Sequence, residues 1–496
     1  MSITPRTPVI VGVGQVTVRP DGASYASRPH PLDLMVTALE RAAQDSGSTR
    51  RVLESLDEIV AVGSFTWHTR DPGLLIAQRL GLRDVTTKLT GVGGNAPQKL
   101  VHDAARRILT GEVTTLCVVG AEAMYARLLA KREGRAVDWT IQSDEVDSAA
   151  FEPDEPAPLS AAEFAQGLSF PTIAYPIFEN ARRARLGWSI EEQRGHLGRL
   201  WSNFASVAAT NPYAWMSNAP SPETVATPGS SNRMVAFPYT KLLMSNLPVD
   251  MGAALIITSY EHARSLGVGR DRMVFPQFGV EANDHWLISE RPHLDDSPAM
   301  RAIWRELQYF GVERDELGYL DLYSCFPTVV QSACDALGID AFDPSRIPTL
   351  TGGLTFAGGP GNNYVTHSIA SMVDALRADP TSLGLVTALG YFCTKHAWGT
   401  YAASPPTQGF RWASAQAGVD ALARVVAEQR DGAVTVESYT VTHGRSGAPE
   451  RLICVARTID QVRVWCHSTD ERLMVEAETS ELIGQRAMVS DGELFL

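Results

Sequence analysis

Hydrophobic positions along the first part of the chain alternate between two kinds of pattern. Short, almost continuously apolar runs predict buried strands, and runs with apolar residues three and four apart predict amphipathic helices. The predicted strands are 8–16, 56–65 and 114–124, and the predicted helices are 31–47, 73–81 and 97–110. Strands and helices that alternate at these lengths are typical of a mostly parallel sheet that is covered on both faces.

The same order of elements returns later in the chain. A second series is predicted from a strand and helix at 249–267, a helix at 298–311, a strand with its turn at 317–326, a helix at 328–338, a glycine-rich turn with a helix at 353–377, and a strand at 383–392. In each series one glycine-rich turn opens directly onto a helix, at 91–96 in the first and at 358–363 in the second. The sequence therefore predicts two halves of similar architecture, although their residues hardly match.

Two regions depart from this alternation. Residues 125–240 are richer in proline, tryptophan and charge, their best predicted helix is 172–187, and insertions of this size usually shape a binding site. After a linker at 404–412, β-branched residues alternate with polar ones in "AVTVESYTVTH", "RLICVARTI", "VRVWCHS" and "RLMVEAE". This alternation predicts strands of a small separate β-domain, either a sandwich or a barrel such as the oligonucleotide-binding type.

Composition narrows the classes of function. The chain has 496 residues and a net charge of −13, which disfavours binding of a polyanion by the whole protein. The six cysteines are scattered without paired spacing, so we expect reduced thiols in the cytoplasm and no metal site. We see no signal peptide and no long apolar run, and we expect neither a membrane span nor nucleic-acid binding.

The first glycine turn, "TGVGGNAPQ" at 90–98, carries the main chemical question. A turn of this kind directs backbone N–H groups and the positive end of a helix dipole at whatever lies in front of it, and enzymes often place a nucleophile there. Here the turn holds Gly93, Gly94 and Asn95, none of which can attack a substrate. Either this is an active site without its nucleophile, or it is only a buried turn.

Five segments in order resemble the thiolase superfamily, and specifically its sterol-carrier-protein-type branch. They are "GAEAM" at 120–124, "NPYAW" at 211–215, the stretch 237–267, "CFPTVVQSACDALG" at 325–338 and "GGLTFAGGPG" at 352–361. The resemblance covers about residues 7–403. The tail beyond 410 resembles the additional C-terminal domain of the bacterial group called thiolase-like protein type 1.

This resemblance implies an α/β fold with a five-layered α-β-α-β-α core. The expected parts are an N-terminal half at 1–124, a loop domain at 125–240, a C-terminal half at 241–403 and an additional β-domain at 412–496. It also implies a coenzyme A thioester as substrate or ligand, with no other bound cofactor. The implied activity is an acyl transfer of the acetyl-CoA acetyltransferase type, in the breakdown of fatty acids or sterols.

The residues depart from what that chemistry requires. Thiolysis passes the acyl group through a cysteine with a lowered pKa. The resemblance places that nucleophile at Gly94 and the histidine of the Gly-His-Pro motif at Gly359, and both are absent. The His-Asp pair before Cys325 is replaced by Tyr323 and Ser324, so we do not expect ordinary thiolysis.

Other groups could still act. Tyr364 in "GGPGNNYVTH" resembles the pattern of thiolase-like aldolases, and a retro-aldol cleavage needs only a base and hydrogen-bond donors for the enolate. Tyr323 and Tyr364 serve as such a base only if one has a pKa well below about 10; otherwise both are packed aromatic residues. The donors would be the backbone N–H groups at 93–95, Asn363 or His367.

Three further assignments stay open. Cys393 is an alternative nucleophile that His396 could polarise, while Lys395 and His396 could instead be structural or orient substrate. Arg182, Arg183 and Arg185 are the local cations expected to hold coenzyme A. The alternative to an enzyme is a non-catalytic protein that binds a coenzyme A ester or a protein partner, with the C-terminal domain as its interaction module. The sequence allows either a monomer or a homodimer.

Overall fold

The first half of the chain forms the predicted strands and helices, and also one strand (Thr86–Thr90) and two short helices (Thr49–Glu54 and Met124–Arg132) that were not predicted. The structure is a computed structural model that describes residues 3–22, 24–151 and 155–496. Its elements here are β1 Pro8–Thr17, α1 Pro31–Asp45, α2 Thr49–Glu54, β2 Glu58–Ala61, α3 Pro72–Leu80, β3 Thr86–Thr90, α4 Ala96–Thr110, β4 Thr115–Ala123 and α5 Met124–Arg132. The hydrophobic pattern missed β3 because its sequence, TTKLT, is mostly polar and half-exposed.

The region from 125 to 240 is mainly helical beyond α5. It contains β5 Ala150–Phe151, α6 Ala161–Ala165, α7 Pro171–Leu186, α8 Ile190–Thr210, α9 Pro222–Ala226, β6 Met234–Ala236 and β7 Tyr239–Thr240. The longest helix, α8, begins at a capping box in which the Ser189 and Glu192 side chains each accept the other's backbone N–H. That box is the local signal by which α8 could have been predicted.

The second half and the tail complete the chain. The second half contains β8 Asp250–Ser259, α10 Tyr260–Ser265, β9 Phe275–Asn283, α11 Pro298–Tyr309, β10 Leu317–Asp321, α12 Pro327–Leu337, α13 Gly353–Phe356, α14 Tyr364–Ala378, β11 Leu383–Gly390 and β12 Lys395–Ala402. The tail contains β13 Arg411–Ser414, α15 Gln416–Asp420, β14 Gly432–His443, β15 Pro449–Thr458, β16 Arg463–Ser468, α16 Glu471–Thr479, β17 Arg486–Ser490 and β18 Glu493–Phe495. Among the described residues, no helix is both long and apolar enough to cross a membrane.

Two sheets enclose a central layer of helices. The strand orders are β1-β8-β4-β2-β3-β5 and β10-β11-β12-β9-β13. Helices α4 and α14 contact each other and both sheets, while α1 covers the outer face of the first sheet and α11 that of the second. This is the five-layered α-β-α-β-α core that the resemblance implied.

Both sheets are mixed, so the prediction of mostly parallel sheets is only half right. In the first sheet β4, β2, β3 and β5 run parallel, but β8 runs antiparallel to β1 and β4. In the second sheet β12 runs antiparallel to β11 and β9. The physical reason is the connection: a tight turn of four residues joins β11 to β12, and so short a turn can only reverse the chain.

The last five strands close into a barrel. Their order is β14-β15-β16-β18-β17, and β14 pairs with both β15 and β17. With α16 between the third and fourth strands, this is the connectivity of a five-stranded barrel of the oligonucleotide-binding type.

One predicted strand of the tail is wrong, because 472–478 lies in helix α16. Asp470 caps that helix by accepting the Leu473 N–H at 2.9 Å. Leu473, Met474 and Ala477 then lie three and four residues apart, so the helical period buries them in the barrel core. Over seven residues the apolar positions did not distinguish the two-residue period of a strand from the 3.6-residue period of a helix.

A buried guanidinium fastens the barrel to the second half. Arg463 on β16 is fully buried and donates to the Glu437 carboxylate at 2.6 and 2.8 Å. It also donates to the backbone carbonyls of Ile288, Ser289 and Arg291 at 2.7–3.2 Å. Arg463 is thus the donor that links these three carbonyls to the barrel.

Replacing Arg463 by methionine should destabilise the protein strongly. Removal of the guanidinium leaves three buried carbonyls without this donor, although Glu437 keeps its pair with Arg457, and an unsatisfied buried group typically costs about 1–3 kcal/mol. We expect this loss in the free energy of unfolding from urea denaturation. The control is Arg430→Met, whose exposed side chain pairs with Asp460 on the same barrel and should change little. Equal effects of the two substitutions would contradict the assignment.

Candidate functional site

The two glycine turns meet at the centre of the molecule. The first turn lies between β3 and α4, and the second precedes α14. The Gly93 N–H donates to the side-chain oxygen of Asn362 at 2.9 Å, and the Asn362 amide donates to the Gly63 carbonyl at 2.8 Å. The second turn therefore takes up one of the backbone donors that the first turn would otherwise present to a ligand.

The side chain of Tyr323 fills the place where a nucleophile would project from Gly94. A β-carbon on Gly94 would lie 2.3 Å from the Tyr323 hydroxyl oxygen and 2.6 Å from the Leu389 carbonyl oxygen, and neither distance is tolerated by real β-carbons. The Tyr323 backbone is held in turn by its N–H, which donates to the Thr387 hydroxyl at 2.8 Å. The position that the resemblance gave to the nucleophile is thus occupied rather than vacant.

Tyr323 and Tyr364 lie together, as proposed catalytic partners should, but both are neutral. Their rings are 5.7 Å apart and edge-to-face, and the Tyr364 hydroxyl is 2.6 Å from the Thr351 hydroxyl. Burial raises the pKa of Tyr323 well above its usual value near 10, and Cys325 and Tyr364 raise it further. Burial and then Asp321 raise the pKa of Tyr364 as well. A tyrosine that acts as a general base needs a lowered pKa, and the pKa values of both residues are raised.

The other groups of the second turn are engaged within the protein. The Asn363 amide donates to the Gly120 carbonyl at 2.7 Å, and its oxygen accepts the Thr366 hydroxyl at 2.6 Å. The Gly359 N–H donates to the Asn246 carbonyl at 2.9 Å. These contacts hold the turn against β4 and the second half, so these groups are not directed at a ligand.

His367 lies one helical turn into α14 and faces β1. Its Nδ1 is 2.8 Å from the side-chain oxygen of Gln15, and its Nε2 is buried with no hydrogen-bond partner among the described residues. Burial lowers the pKa of His367 to about 3. The imidazole is therefore neutral at physiological pH and cannot supply a proton as an acid.

Cys393 lies in the turn between β11 and β12, and His396 follows it as the second residue of β12. The Nε2 atom of His396 is 3.2 Å from the Asp284 carboxylate and 3.2 Å from the Cys393 carbonyl oxygen. Burial opposes protonation of His396, but Asp284 and then Cys393 raise its pKa to about 9. The Cys393 N–H donates to the Tyr175 hydroxyl at 3.0 Å, so the whole turn is anchored in the core.

The three arginines expected to hold coenzyme A are ion-paired inside the chain. Arg182 pairs with Asp335, Arg183 with Glu481 of the barrel, and Arg185 with Asp295 and Asp335. Arg182 and Arg183 are also buried. These pairs fasten α7 to the second half and to the barrel, which favours a structural role for the arginines over the predicted one.

A cavity of about 590 Å³ opens in front of the first turn. It reaches Val92, Asn95 and Lys99 on the side of the turn and α4, and Tyr391 and Lys395 on the side of the second sheet. Sequence reasoning left open whether Lys395 is structural or orients substrate, and it did not place Lys395 in a cavity. The available signal was a single cation within the apolar stretch "YFCTKHAWGTY". The described part of the chain holds no cluster of side chains suited to a metal ion.

Comparison with solved structures finds similarity over the entire chain. The crystal structure of a monomeric SCP2-thiolase-like protein type 1 from Mycobacterium smegmatis is 30% identical in sequence, covers 100% of both chains and has a TM-score of 0.84. The family model of the thiolase-like protein type 1 additional C-terminal domain matches residues 416–493. None of the curated proteins matches the chain by sequence.

More distant structures share the fold alone. An Ltp2-ChsH2(DUF35) aldolase is 19% identical over 81% of this chain and 99% of its own, with a TM-score of 0.60. An acetyl-CoA acetyltransferase from Syntrophomonas wolfei is 16% identical over 80% of this chain and 99% of its own, with a TM-score of 0.56. The core is therefore shared by proteins with different chemistry.

Adding a side chain at Gly94 should destabilise the protein. Because the β-carbon of Gly94→Ala would collide with Tyr323 and Leu389, we expect a loss of about 1–3 kcal/mol in the free energy of unfolding. Tyr323→Phe in the same chain should recover only part of it, since the Leu389 carbonyl remains. The control is Gly195→Ala in α8, which meets nothing within 4 Å and should be neutral or slightly stabilising. A tolerated Gly94→Ala would mean that the space is open.

His367 should make the protein less stable as the pH falls. The unfolded chain binds a proton at His367 below about pH 6.5, but the native chain does not until about pH 3. Between these values we expect the wild type to lose about 1.4 kcal/mol per pH unit relative to His367→Gln. Urea denaturation from pH 7 to pH 5 measures this difference. The exposed His68→Gln is the control and should follow the wild type; a constant difference for His367→Gln would contradict the prediction.

Proposed function

The chain belongs to the SCP2-thiolase-like proteins type 1, within the thiolase superfamily, and from this we propose that it binds a coenzyme A thioester without forming an acyl-enzyme. The proposed binding site is the cavity in front of the first glycine turn. The observation that carries the proposal is the Tyr323 hydroxyl, which fills the space beside Gly94 while the cavity on the other side of the turn stays open.

The state of the thiols supports the proposed absence of an acyl-enzyme. Covalent acyl transfer needs a thiolate at a position that substrate can reach. All six cysteines are free and buried, and none lies on the glycine turn. Burial raises the pKa of Cys325, the cysteine nearest to Tyr323 along the chain, to about 12. A buried protonated thiol is a poor acceptor for an acyl group.

The cavity supports the proposed binding of a coenzyme A thioester. Its volume of about 590 Å³ is within the range of small-molecule sites, which lies at roughly 300–1,000 Å³. The N-terminus of α4 points toward it with the positive end of its dipole. Among the residues that the structure describes, Lys99 and Lys395 line it with a single carboxylate, that of Glu155, so this lining has a net positive charge in a protein of net charge −13. This local charge suits a ligand that is anionic.

A retro-aldol cleavage of a β-hydroxyacyl-CoA remains the second candidate. The observation that favours it is the edge-to-face contact of Tyr323 and Tyr364 directly behind the turn. As neutral phenols these residues could donate a hydrogen bond to an enolate oxygen. They could not act as the base, and the base would have to be another group.

The proposal predicts binding without acylation. We expect saturable binding of coenzyme A and of acetyl-CoA in isothermal titration calorimetry, because the cavity and its two lysines lie in front of the turn. Intact-mass spectrometry after incubation with acetyl-CoA should show no acetylated protein. The matched variant is Lys99→Met, which removes an exposed cation of the cavity and should weaken binding while leaving the protein folded.

Three results would contradict the proposal or favour an alternative. An acetyl adduct on any cysteine would contradict the proposal and restore a covalent mechanism. Cleavage of a β-hydroxyacyl-CoA that is lost in Tyr323→Phe would favour the retro-aldol candidate instead. A protein that binds neither coenzyme A nor its thioesters would overturn the assignment of the cavity.

A further inference from the structure

The ammonium group of Lys395 lies at the inner end of a cavity with mainly apolar walls. The Lys395 side chain is only 7% exposed. Its Nζ donates to the Val92 carbonyl at 3.1 Å and lies 4.0 Å from the centre of the Tyr391 ring. The walls include the apolar residues Val92, Leu100, Phe151, Pro156 and Pro158. Burial of a cation among such groups is costly unless a counter-charge accompanies it.

The counter-charge comes from Glu155, at the edge of the same cavity. The Lys395 ammonium donates to the two carboxylate oxygens of Glu155 at 2.8 and 3.1 Å. The Tyr391 hydroxyl donates to the same carboxylate at 3.0 Å. One ammonium and one phenol thus form a two-donor cradle, and the carboxylate that they hold belongs to a wall of the cavity.

The two partners of this ion pair are held differently. Lys395 starts β12, whose backbone is paired on both sides, so the sheet fixes the backbone from which its side chain enters the cavity. Glu155 lies outside any helix or strand, and its side chain is 22% exposed. Rotation of Glu155 toward solvent would therefore expose the cradle to a ligand. The buried cation would then require another anion in its place.

We propose that this cavity takes an acyl group that ends in a carboxylate, and that the ligand's carboxylate replaces Glu155 on Lys395 and Tyr391. The exchange leaves the charge inside the cavity unchanged, whereas an acyl group that ends in a methyl group offers the cradle nothing. This inference rests on the proposed function and specifies its ligand class, the coenzyme A thioesters of short dicarboxylic acids.

The test compares two thioesters of equal chain length, glutaryl-CoA and valeryl-CoA, by isothermal titration calorimetry. We expect the wild type to bind glutaryl-CoA about tenfold more tightly, the difference that one exchanged charge-assisted contact supplies. Glu155→Gln should increase this preference, because the competing carboxylate is gone. Lys395→Met should abolish it, and Tyr391→Phe should reduce it. Lys131→Met, an exposed charge on α5, is the control and should leave the preference unchanged.

A second measurement keeps this inference separate from the proposed function. Free glutarate should raise the melting temperature of Glu155→Gln, whose cradle holds no anion, but not that of the double variant Glu155→Gln/Lys395→Met. Equal binding of both thioesters, with no effect of glutarate, would overturn the inference and leave the proposed function intact. Failure of both thioesters together with stabilisation by glutarate would overturn the proposed function alone.

Discussion

Two glycine turns press against each other at the centre of the molecule, because each opens a helix of the single layer between the two sheets. Each turn is also packed closely against the neighbouring strands and loops, so that side chains are excluded at its glycines. A β-carbon on Gly94 would meet Tyr323 at 2.3 Å, and one on Gly361 would meet the Glu122 carboxylate at 2.5 Å. Glycine at these positions satisfies a packing requirement. The absence of a nucleophile from the first turn is therefore part of how the core is closed.

This contact divides the surroundings of the turn into two parts of opposite electrostatic character. Behind it, Tyr323, Tyr364 and His367 are buried without a charged partner at their reactive atoms, and burial holds each of them in its neutral form. In front of it, Lys395 is paired with Glu155 at the wall of a cavity. The three side chains behind the turn are therefore uncharged near neutral pH. The charged side chains lie in front of it.

Local sequence patterns predicted about half of the helices and strands, among them α1 and α4, which follow one helical period, and β4, which is apolar along its whole length. They failed where the decision was not local. The strand predicted at 472–478 is a helix because the barrel core and the Asp470 cap select that period. The role of charged residues was hardest to predict, since Arg182 and Asp335 are 153 residues apart and Lys395 and Glu155 are 240 apart. Only the folded chain shows which cations form structural ion pairs and which line a cavity.

The C-terminal barrel has a structural role, because its usual ligand-binding face packs against the second half. Barrels of the oligonucleotide-binding type use the outer face of their second and third strands for ligands, which here are β15 and β16. On that face Ile453 and Val455 are buried in the main core, and the Trp465 indole donates to the Ser289 hydroxyl at 2.7 Å. Arg463 holds the same segment of the second half through its backbone carbonyls. The surface that would bind a partner in an isolated barrel is covered by the chain itself. The barrel thus stabilises the half of the protein that carries Lys395, and its own ligand-binding face is packed against that half.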